Sequence, residues 1–394
     1  MRFLALAAGF PVTALVIWAL IRSPLAARVS AEPRDDRWHE RPTPMLGGIG
    51  IFAGILTGFL LAVAAGAAPA SRELLAIVGA CGVLFVAGLL DDLFSLGPVP
   101  KLAAQLAAAG IVIGNGVTIS GLISNDFLAG VVAVVWLVGL TNAFNLLDNM
   151  DGLAATLAGI AAAFFAIDAL TVHSNDAVLA LALAIALACA GFLPFNLRPG
   201  RAAAVFMGDS GSQVLGFALA ALGLTASWKV AGTTVATLLL PILVLAVPIL
   251  DTTLVTIVRL LDGRPVYQGG RDHTSHRLVY QGLSERRAVV LLAVISAALG
   301  TTSLFYAVLD NGWVTLIGVL LTFALLVQFA SVLSDVERAP GLVQDRGWLH
   351  TFVANPRRLV ESIVDFALVA IKEFASESGN GQGMNLAQKN AAGV

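Results

Sequence analysis

The chain has 394 residues, 58% of them hydrophobic and 12% charged, and a formal net charge of −2. Soluble domains run about 45–50% apolar and about 25% charged, so this composition, with a mean hydropathy of +0.88, excludes a soluble globular enzyme and equally a disordered or fibrous chain. The charge balance offers no overall basic surface for nucleic acid. The two cysteines, Cys81 and Cys189, both lie inside apolar runs, which excludes a disulfide scaffold and a cysteine-based zinc site.

A helix that crosses the hydrocarbon core needs about 20 predominantly apolar residues. Between successive charges the sequence offers eleven candidates: 3–21, 42–71, 74–90, 102–125, 127–147, 152–167, 177–197, 210–228, 230–250, 288–309 and 311–334. The sixth is short and is expected to continue to about Val172, with Asp168 at its interfacial end. The first has the length of a signal peptide but lacks a small-residue cleavage site followed by a soluble domain, so it is read as a retained span. The predicted fold is therefore all-α, a polytopic integral membrane protein of about eleven transmembrane helices.

Lys and Arg concentrate in cytoplasmic connections. Arg22, Arg28, Arg34, Arg37 and Arg41 lie in the first connection, Lys101 in the third, and Arg198 and Arg201 in the seventh. The ninth holds Arg259, Arg264, Arg271, Arg277, Arg286 and Arg287, and the tail adds Arg338, Arg346, Arg357, Arg358, Lys372 and Lys389. That places 20 of the 23 cations on one side and only Arg2, Arg72 and Lys229 on the other. The bias predicts an external N-terminus, a cytoplasmic C-terminus and an odd number of spans, in an inner (plasma) membrane with the polar connections facing the cytoplasm. After the transmembrane domain, 1–334, comes a cytoplasmic tail, 335–376. Within it, Arg358, Glu361, Asp365, Lys372 and Ser376 recur at roughly helical spacing among apolar residues. This predicts an amphipathic helix on the membrane surface or, equally, one packed on the protein's own loops. Residues 377–394 are rich in Gly, Asn and Gln and are expected to be disordered.

The polar residues gather on the cytoplasmic side. In HERPTPMLGGIGIF, 39–52, Pro42 and Pro44 stiffen the chain before the second span and Gly47-Gly48 permits close backbone approach; a turn and helix start is the default reading. Asp91 and Asp92 end the third span, and adjacent like charges are costly without a cation nearby. They point to a metal or phosphate-transfer site, or else to a solvated helix end. Lys101, at the next helix start, neutralises phosphate or simply marks the interface. In TNAFNLLDNMDGLAAT, Asn142, Asn145, Asp148 and Asp151 recur every three residues, close to one helical face. Such oxygen donors suit a hard cation such as Mg²⁺, whereas helix capping accounts for only one of the four. In FMGDSGSQVLGF, Asp209 and Ser210 open the eighth span between Gly208 and Gly211. Free amides there favour phosphate; an N-cap is the plain alternative. The longest connection, 259–287, holds Arg271, His273, His276 and Arg277 within seven residues. No further local ligand completes a zinc site, and arginines suit diphosphate. Asp251, behind Pro241 and Pro248, is an ionisable residue at membrane depth and hence a functional candidate, or an interfacial carboxylate.

Five motifs in this order, PTPMLGG, LLDDLFSLGPVPKLAAQ, NAFNLLDNMDGLA, FMGDSGS and RDHTSHRLVYQGLS, resemble the polyprenyl-phosphate N-acetylhexosamine-1-phosphate transferases (glycosyltransferase family 4). The likeness covers roughly residues 39–300. The His273-Thr-Ser-His276-Arg277 segment resembles bacterial members acting on UDP-GlcNAc, while the phospho-MurNAc-pentapeptide branch typically carries three consecutive histidines. One departure is Asp148-Asn149-Met150-Asp151-Gly152, where family members often read DGLDG; both carboxylates are kept.

The resemblance implies transfer of GlcNAc-1-phosphate from UDP-GlcNAc to undecaprenyl or decaprenyl phosphate, with release of UMP. That reaction initiates cell-envelope glycans such as cell wall or lipopolysaccharide polymers. Another UDP-HexNAc or phospho-MurNAc-pentapeptide is the alternative donor. The implied cofactor is Mg²⁺, with Mn²⁺ able to replace it, held by Asp209 and Asn145. Lys101, His276 and Arg277 are implied to hold phosphates or stabilise charge developing on them, His276 in a catalytic role. Phe206 and Asp151 would contact the uracil ring, Asn196 would support the nucleoside, and Asp148 and His273 would line the substrate. Asp91 or Asp92 would act as general base or covalent nucleophile. A phosphate monoester is already largely dianionic at pH 7, so a single displacement is favoured. The expected partners are the UDP-sugar, the polyprenyl phosphate and membrane lipid, with a homodimer left open and no nucleic acid. A secondary transporter would place its polar residues near the bilayer midplane rather than at cytoplasmic helix ends. A CDP-alcohol phosphotransferase would need Ala-Arg after Asp151-Gly152, where this chain reads Leu-Ala.

Overall fold

The computed structural model describes residues 6–31, 41–119, 123–225, 235–266, 270–309 and 312–334. The amphipathic helix expected within 335–376 and the disordered end expected at 377–394 lie outside these residues. In chain order the helices are α1 (Gly9–Ile21), α2 (Leu25–Arg28), α3 (Gly47–Ala64), α4 (Arg72–Phe94), α5 (Pro98–Gly114), α6 (Asp126–Leu147), α7 (Leu153–Thr171), α8 (Asp176–Asn196), α9 (Asp209–Gly223), α10 (Val235–Val244), α11 (Ala246–Leu261), α12 (Thr274–Tyr280), α13 (Glu285–Leu309) and α14 (Gly312–Ser334). The two-residue strands β1 (Ser30–Ala31) and β2 (Thr43–Pro44) pair antiparallel, Ser30 opposite Pro44.

The protein is an all-α polytopic membrane protein. Seven of the described helices are long and apolar enough to cross a membrane: α3, α4, α6, α7, α8, α13 and α14. Leu6–Ile21 and α5 are shorter apolar helices. Each apolar stretch read from the sequence contains a helix, and the sixth ends at Thr171 with Val172 as its C-cap. The ninth differs. It is split at Leu245 into α10 and α11, and its helix runs on to Leu261. Pro248, in the first turn of α11, has no N–H to return to the carbonyl of Val244, so the turn before it cannot continue unbroken.

The described residues divide into two compact units, the first falling within 1–260 and 264–310 and the second within 261–263 and 311–394. In the first, α9 is the central helix, buried from Ser210 to Gly223 and packed on α4 and α6. α7 packs on α8, and α3 on α1 and α8. The second unit contains α14, an apolar helix broken by no charge.

Helix ends differ systematically between the two ends of the first unit. α4, α6 and α8 begin with a side-chain cap from Ser71, Asn125 or Asn175. α5, α7 and α9 begin with Gly97, Gly152 or Gly208 and no side-chain cap of their own. These helix starts all lie at the same end, and that is where the polar residues meet.

Candidate active site

A cavity of about 1090 Å³ opens at this end, within the first unit. Its lining includes Asp91, Asp92, Lys101, Asn145, Asp148, Asp151, Asn196, Phe206, Asp209, His273 and His276. Of the residues expected from the sequence to serve the site, Arg277 lies outside this lining, as do the candidates Asn142, Ser210, Asp251 and Arg271. Arg41, Arg198, Arg201, Glu285 and Arg286 also line it; the sequence pattern marks the four arginines as topology signals alone and gives Glu285 no role.

The two adjacent carboxylates have different surroundings. Asp92 supplies the cap that α9 lacks. It accepts from the amides of Asp209 (2.8 Å) and Ser210 (3.1 Å) and from the Ser210 hydroxyl (2.7 Å). Two glycines make the approach possible. A Cβ on Gly88, one turn before Asp92, would lie 2.6 Å from backbone atoms of Asp209 and Ser210. Gly208 has φ +72°, a conformation L side chains rarely adopt, and its Cβ would strike the Asp92 carboxylate. Asp91 instead turns to the cavity. Its Oδ2 lies 3.1 Å from Lys101 Nζ, which also contacts Asp209 Oδ2 at 3.0 Å. Asn145 donates to Asp209 Oδ1 (2.9 Å) and to the Ser212 hydroxyl (3.0 Å).

PTPMLGG has a role beyond starting α3. Gly47 and Gly48 donate backbone bonds to the carbonyls of Phe206 and Met207, and Phe206 N donates to Pro44 O. This three-bond tie holds the segment leading into Asp209 and sets Phe206 in the cavity wall.

Asn142, Asn145, Asp148 and Asp151 do not share one helical face. α6 ends at Leu147 and Asp148 is its C-cap, because Gly152, at φ +79°, turns the chain into α7. Asp151 does not cap α7; it accepts from Ala203 N at 3.2 Å. Burial raises its pKa, against the lowering effects of that bond and of the Arg286 charge. Asn196 joins both sides, accepting from Gly152 N and donating to Val205 O.

The segment around α12 forms the opposite wall. Arg259, fully buried, grips Asp272 with two hydrogen bonds of 2.7 and 3.0 Å, and Arg264 adds a third. Burial alone would raise the pKa of Asp272; the Arg259 guanidinium, then the His273 and Arg264 charges, hold it at about 2. Asp272 in turn fixes Arg277, whose Nε donates to its carbonyl at 2.8 Å. Burial lowers the pKa of Arg277 despite the nearby Asp272 and Asp251. Asp251 binds His273 Nδ1 (2.8 Å) and Thr274 N (2.6 Å). Ser275 donates to Asn149, tying α12 to the α6–α7 turn. His276, 2% exposed, has its pKa pushed down to about 3 by burial and by the His273 charge, so it is neutral at pH 7.

The donors suit a hard divalent cation. A lysine ammonium already sits between Asp91 and Asp209, and Asp91 Oδ1 is buried without a hydrogen-bond partner. Among the described residues no group of three or more His, Cys, Asp or Glu is placed to hold a metal alone. Mg²⁺ typically takes one or two carboxylates and completes its shell with substrate phosphates and water.

The sequence profile described as Glycosyl transferase family 4 matches residues 74–227. The chain is 31% identical over 91% of its length, and 98% of the relative's, to a probable undecaprenyl-phosphate N-acetylglucosaminyl 1-phosphate transferase of Bacillus subtilis. It is 32% identical to a decaprenyl-phosphate N-acetylglucosaminephosphotransferase of Mycolicibacterium smegmatis, over 80% of this chain and 84% of that one. It is 30% identical to an undecaprenyl-phosphate alpha-N-acetylglucosaminyl 1-phosphate transferase of Escherichia coli O157:H7, over 75% and 81%.

Proposed function

The chain belongs to glycosyl transferase family 4, and from that premise we propose that it transfers N-acetylglucosamine-1-phosphate from UDP-GlcNAc to undecaprenyl or a related polyprenyl phosphate, releasing UMP. The observation that carries this reading is the pairing of two walls in one cavity. One is a carboxylate wall bridged by Lys101, the other a lining in which His273 and His276 of the α12 segment are joined by Arg41, Arg198, Arg201 and Arg286. A donor with two phosphates and a soluble head, and an acceptor whose phosphate sits at a membrane surface, both need such a place at the ends of apolar helices.

The charge partition of the sequence supports an eleven-span topology with the N-terminus outside and the cavity opening to the cytoplasm, in a plasma (inner) membrane. The donor set supports Mg²⁺ held by Asp209 and Asn145, with Asp91 within reach. When bound, the ion neutralises the diphosphate and polarises the bond that breaks.

The chain's own residues do the rest. Asp92 and Gly208 fix the first amides of α9, which holds Asp209 still. Lys101, released from Asp209 as phosphate arrives, follows the negative charge into the reaction. Neutral His276 donates a hydrogen bond to a phosphate oxygen without a counter-ion to displace. Phe206 offers a ring face and Asp151 an acceptor to the uracil, and Asn196 holds the Gly152 turn beneath them. An oxygen of the acceptor phosphate attacks the β-phosphorus of UDP-GlcNAc. The bond from that phosphorus to the bridging oxygen breaks, and UMP leaves with the bridging oxygen. A dianionic acceptor needs no base, so Asp91 orients Lys101 rather than removing a proton. Purified protein with undecaprenyl phosphate, UDP-GlcNAc and Mg²⁺ is expected to release UMP; no UMP from any UDP-HexNAc would falsify the reading.

A further inference from the structure

The three helices that meet at Asp209 each bring a second polar residue one turn deeper into the bundle. Gln105 follows Lys101 on α5, Asn142 precedes Asn145 on α6, and Gln213 follows Asp209 on α9. Residues three or four apart share a helix face, so two polar layers lie one above the other. The upper layer is Lys101, Asn145 and Asp209. The lower is all amide.

The lower layer is bonded throughout. Gln213 Nε2 reaches up to Asp209 Oδ2 at 3.4 Å, and its Oε1 accepts from Gln105 Nε2 at 3.2 Å. Gln105 Oε1 accepts from Asn142 Nδ2 at 2.8 Å, and Gln105 Nε2 lies 3.3 Å from Asn142 Oδ1. Asn142 also donates to the carbonyl of Val138, in its own helix. Gln105 and Gln213 are 3% and 0% exposed. A buried amide left without a partner costs about 1–3 kcal/mol, and networks of this kind specify one arrangement when fully satisfied. The Gln105–Asn142 pair ties α5 to α6, and rotating α9 against them would break the Gln213–Gln105 bond. It would also turn the Asp209 carboxylate away from Asn145 and Lys101.

We infer that Gln105, Asn142 and Gln213 are positioning residues: they lock the rotation of α9, and with it the aim of Asp209, and so set the affinity of the site for its divalent cation. The inference rests on the reading of Asp209 as a metal ligand. The competing account is that the layer merely glues helices together in an apolar medium. The two accounts differ in what metal does to the variants.

The test uses full-length protein in lipid nanodiscs, with Mn²⁺ as a paramagnetic probe titrated by electron paramagnetic resonance. Gln213→Met keeps length and shape but removes the link to Asp209. Its Mn²⁺ Kd is expected to rise about tenfold or more, the usual cost of losing a partner behind a metal ligand. The Mg²⁺ concentration for half-maximal UMP release should rise with it, and excess Mg²⁺ should restore kcat to within about threefold. The double variant Q105M/Q213M removes both members of the Gln105–Gln213 bond and leaves Asn142 its bond to the Val138 carbonyl; it serves where the single variant is too unstable to purify. Its Mn²⁺ affinity is expected to be as low as that of Gln213→Met. Unchanged Mn²⁺ affinity in either folded variant, or a lost kcat that excess Mg²⁺ does not restore, overturns the inference. Wild-type protein that releases UMP but binds no Mn²⁺ removes the metal ligand and the inference with it. Wild-type protein that binds Mn²⁺ but processes no UDP-sugar overturns the reaction alone, and the Mn²⁺ comparison still decides this inference.

Discussion

The two walls of the cavity solve opposite electrostatic problems. On the α4–α5–α9 wall, Asp91, Asp92 and Asp209 face one cation, Lys101. Behind the α11–α12 wall, which His273 and His276 line, Arg259, Arg264, Arg271 and Arg277 gather around Asp251 and Asp272. The first wall carries an excess of negative charge that a divalent ion can neutralise. The second is backed by an excess of positive charge, and Arg41, Arg198, Arg201 and Arg286 add lining cations that phosphates can neutralise. Neither wall is electrically complete alone, and a metal-bound diphosphate complements both. The difference also appears in how each is held. The carboxylate wall is built on the ends of long helices, whereas the basic wall is a seven-residue helix pinned from behind by Arg259.

The comparison breaks first at Asp209. Asp209→Asn is expected to lower UMP release by about 10³-fold or more, the scale for removing a principal charge-stabilising group, while thermal stability stays near wild type. Near-normal turnover would leave the carboxylate wall without a metal function. Next comes the contrast within the Asp pair. Asp91→Asn is expected to cut kcat about 100-fold with little change in melting temperature, because Asp91 contacts Lys101 and not the backbone. Asp92→Asn is expected to lose about 1–2 kcal/mol of stability, the scale of a lost N-cap, since one amide oxygen cannot accept what two carboxylate oxygens accept. Thermal melts that show the reverse order would refute the division of labour. On the other wall, His276→Ala is expected to raise KM for UDP-GlcNAc about 50-fold while leaving the Mg²⁺ requirement unchanged. A shift in Mg²⁺ half-saturation instead would show that the walls are not separate in function.

Much of this arrangement is legible in the sequence. Gaps between charges locate every described long helix, because the absence of Asp, Glu, Lys and Arg over about 20 residues is a direct consequence of the solvent. The order of motifs brings Asp91, Lys101, Asn145, Asp209 and His276 to one cavity. The rest is hidden for identifiable reasons. Adjacent Asp91 and Asp92 look equivalent in sequence, yet they point about 100° apart on a helix, and only the position of α9 decides which becomes its cap. The three-residue recurrence from Asn142 to Asp151 suggests one face, but Gly152 ends that periodicity by taking a left-handed turn. Gln105 ends one quoted motif and Gln213 follows another, but nothing in either segment gives the amide a role; their meaning comes from a long-range contact. Arg259 reads as one more cytoplasmic cation, and its burial beneath Asp272 depends on the fold of the whole connection.

The smallest effect concerns that buried pair and sharpens the comparison by isolating what holds the basic wall in place. The pKa of Asp272 is about 2, lowered from 3.8. A carboxylate held low in the folded state contributes stability that is fully present above its unfolded value, near pH 4, and is lost as pH falls toward 2. The depression corresponds to about 2 kcal/mol. Asp272→Asn is therefore expected to lower stability by about 2 kcal/mol between pH 5 and 8, measured by thermal or denaturant unfolding in detergent. The gap between variant and wild type should close as pH approaches 2, where wild-type Asp272 is also protonated. Because Asp272 orients Arg277 through its backbone carbonyl, which the substitution retains, the variant should keep the Mg²⁺ half-saturation of wild type. A stability gap that persists unchanged down to pH 2 would mean that the Arg259–Asp272 charge pair is not what anchors this wall.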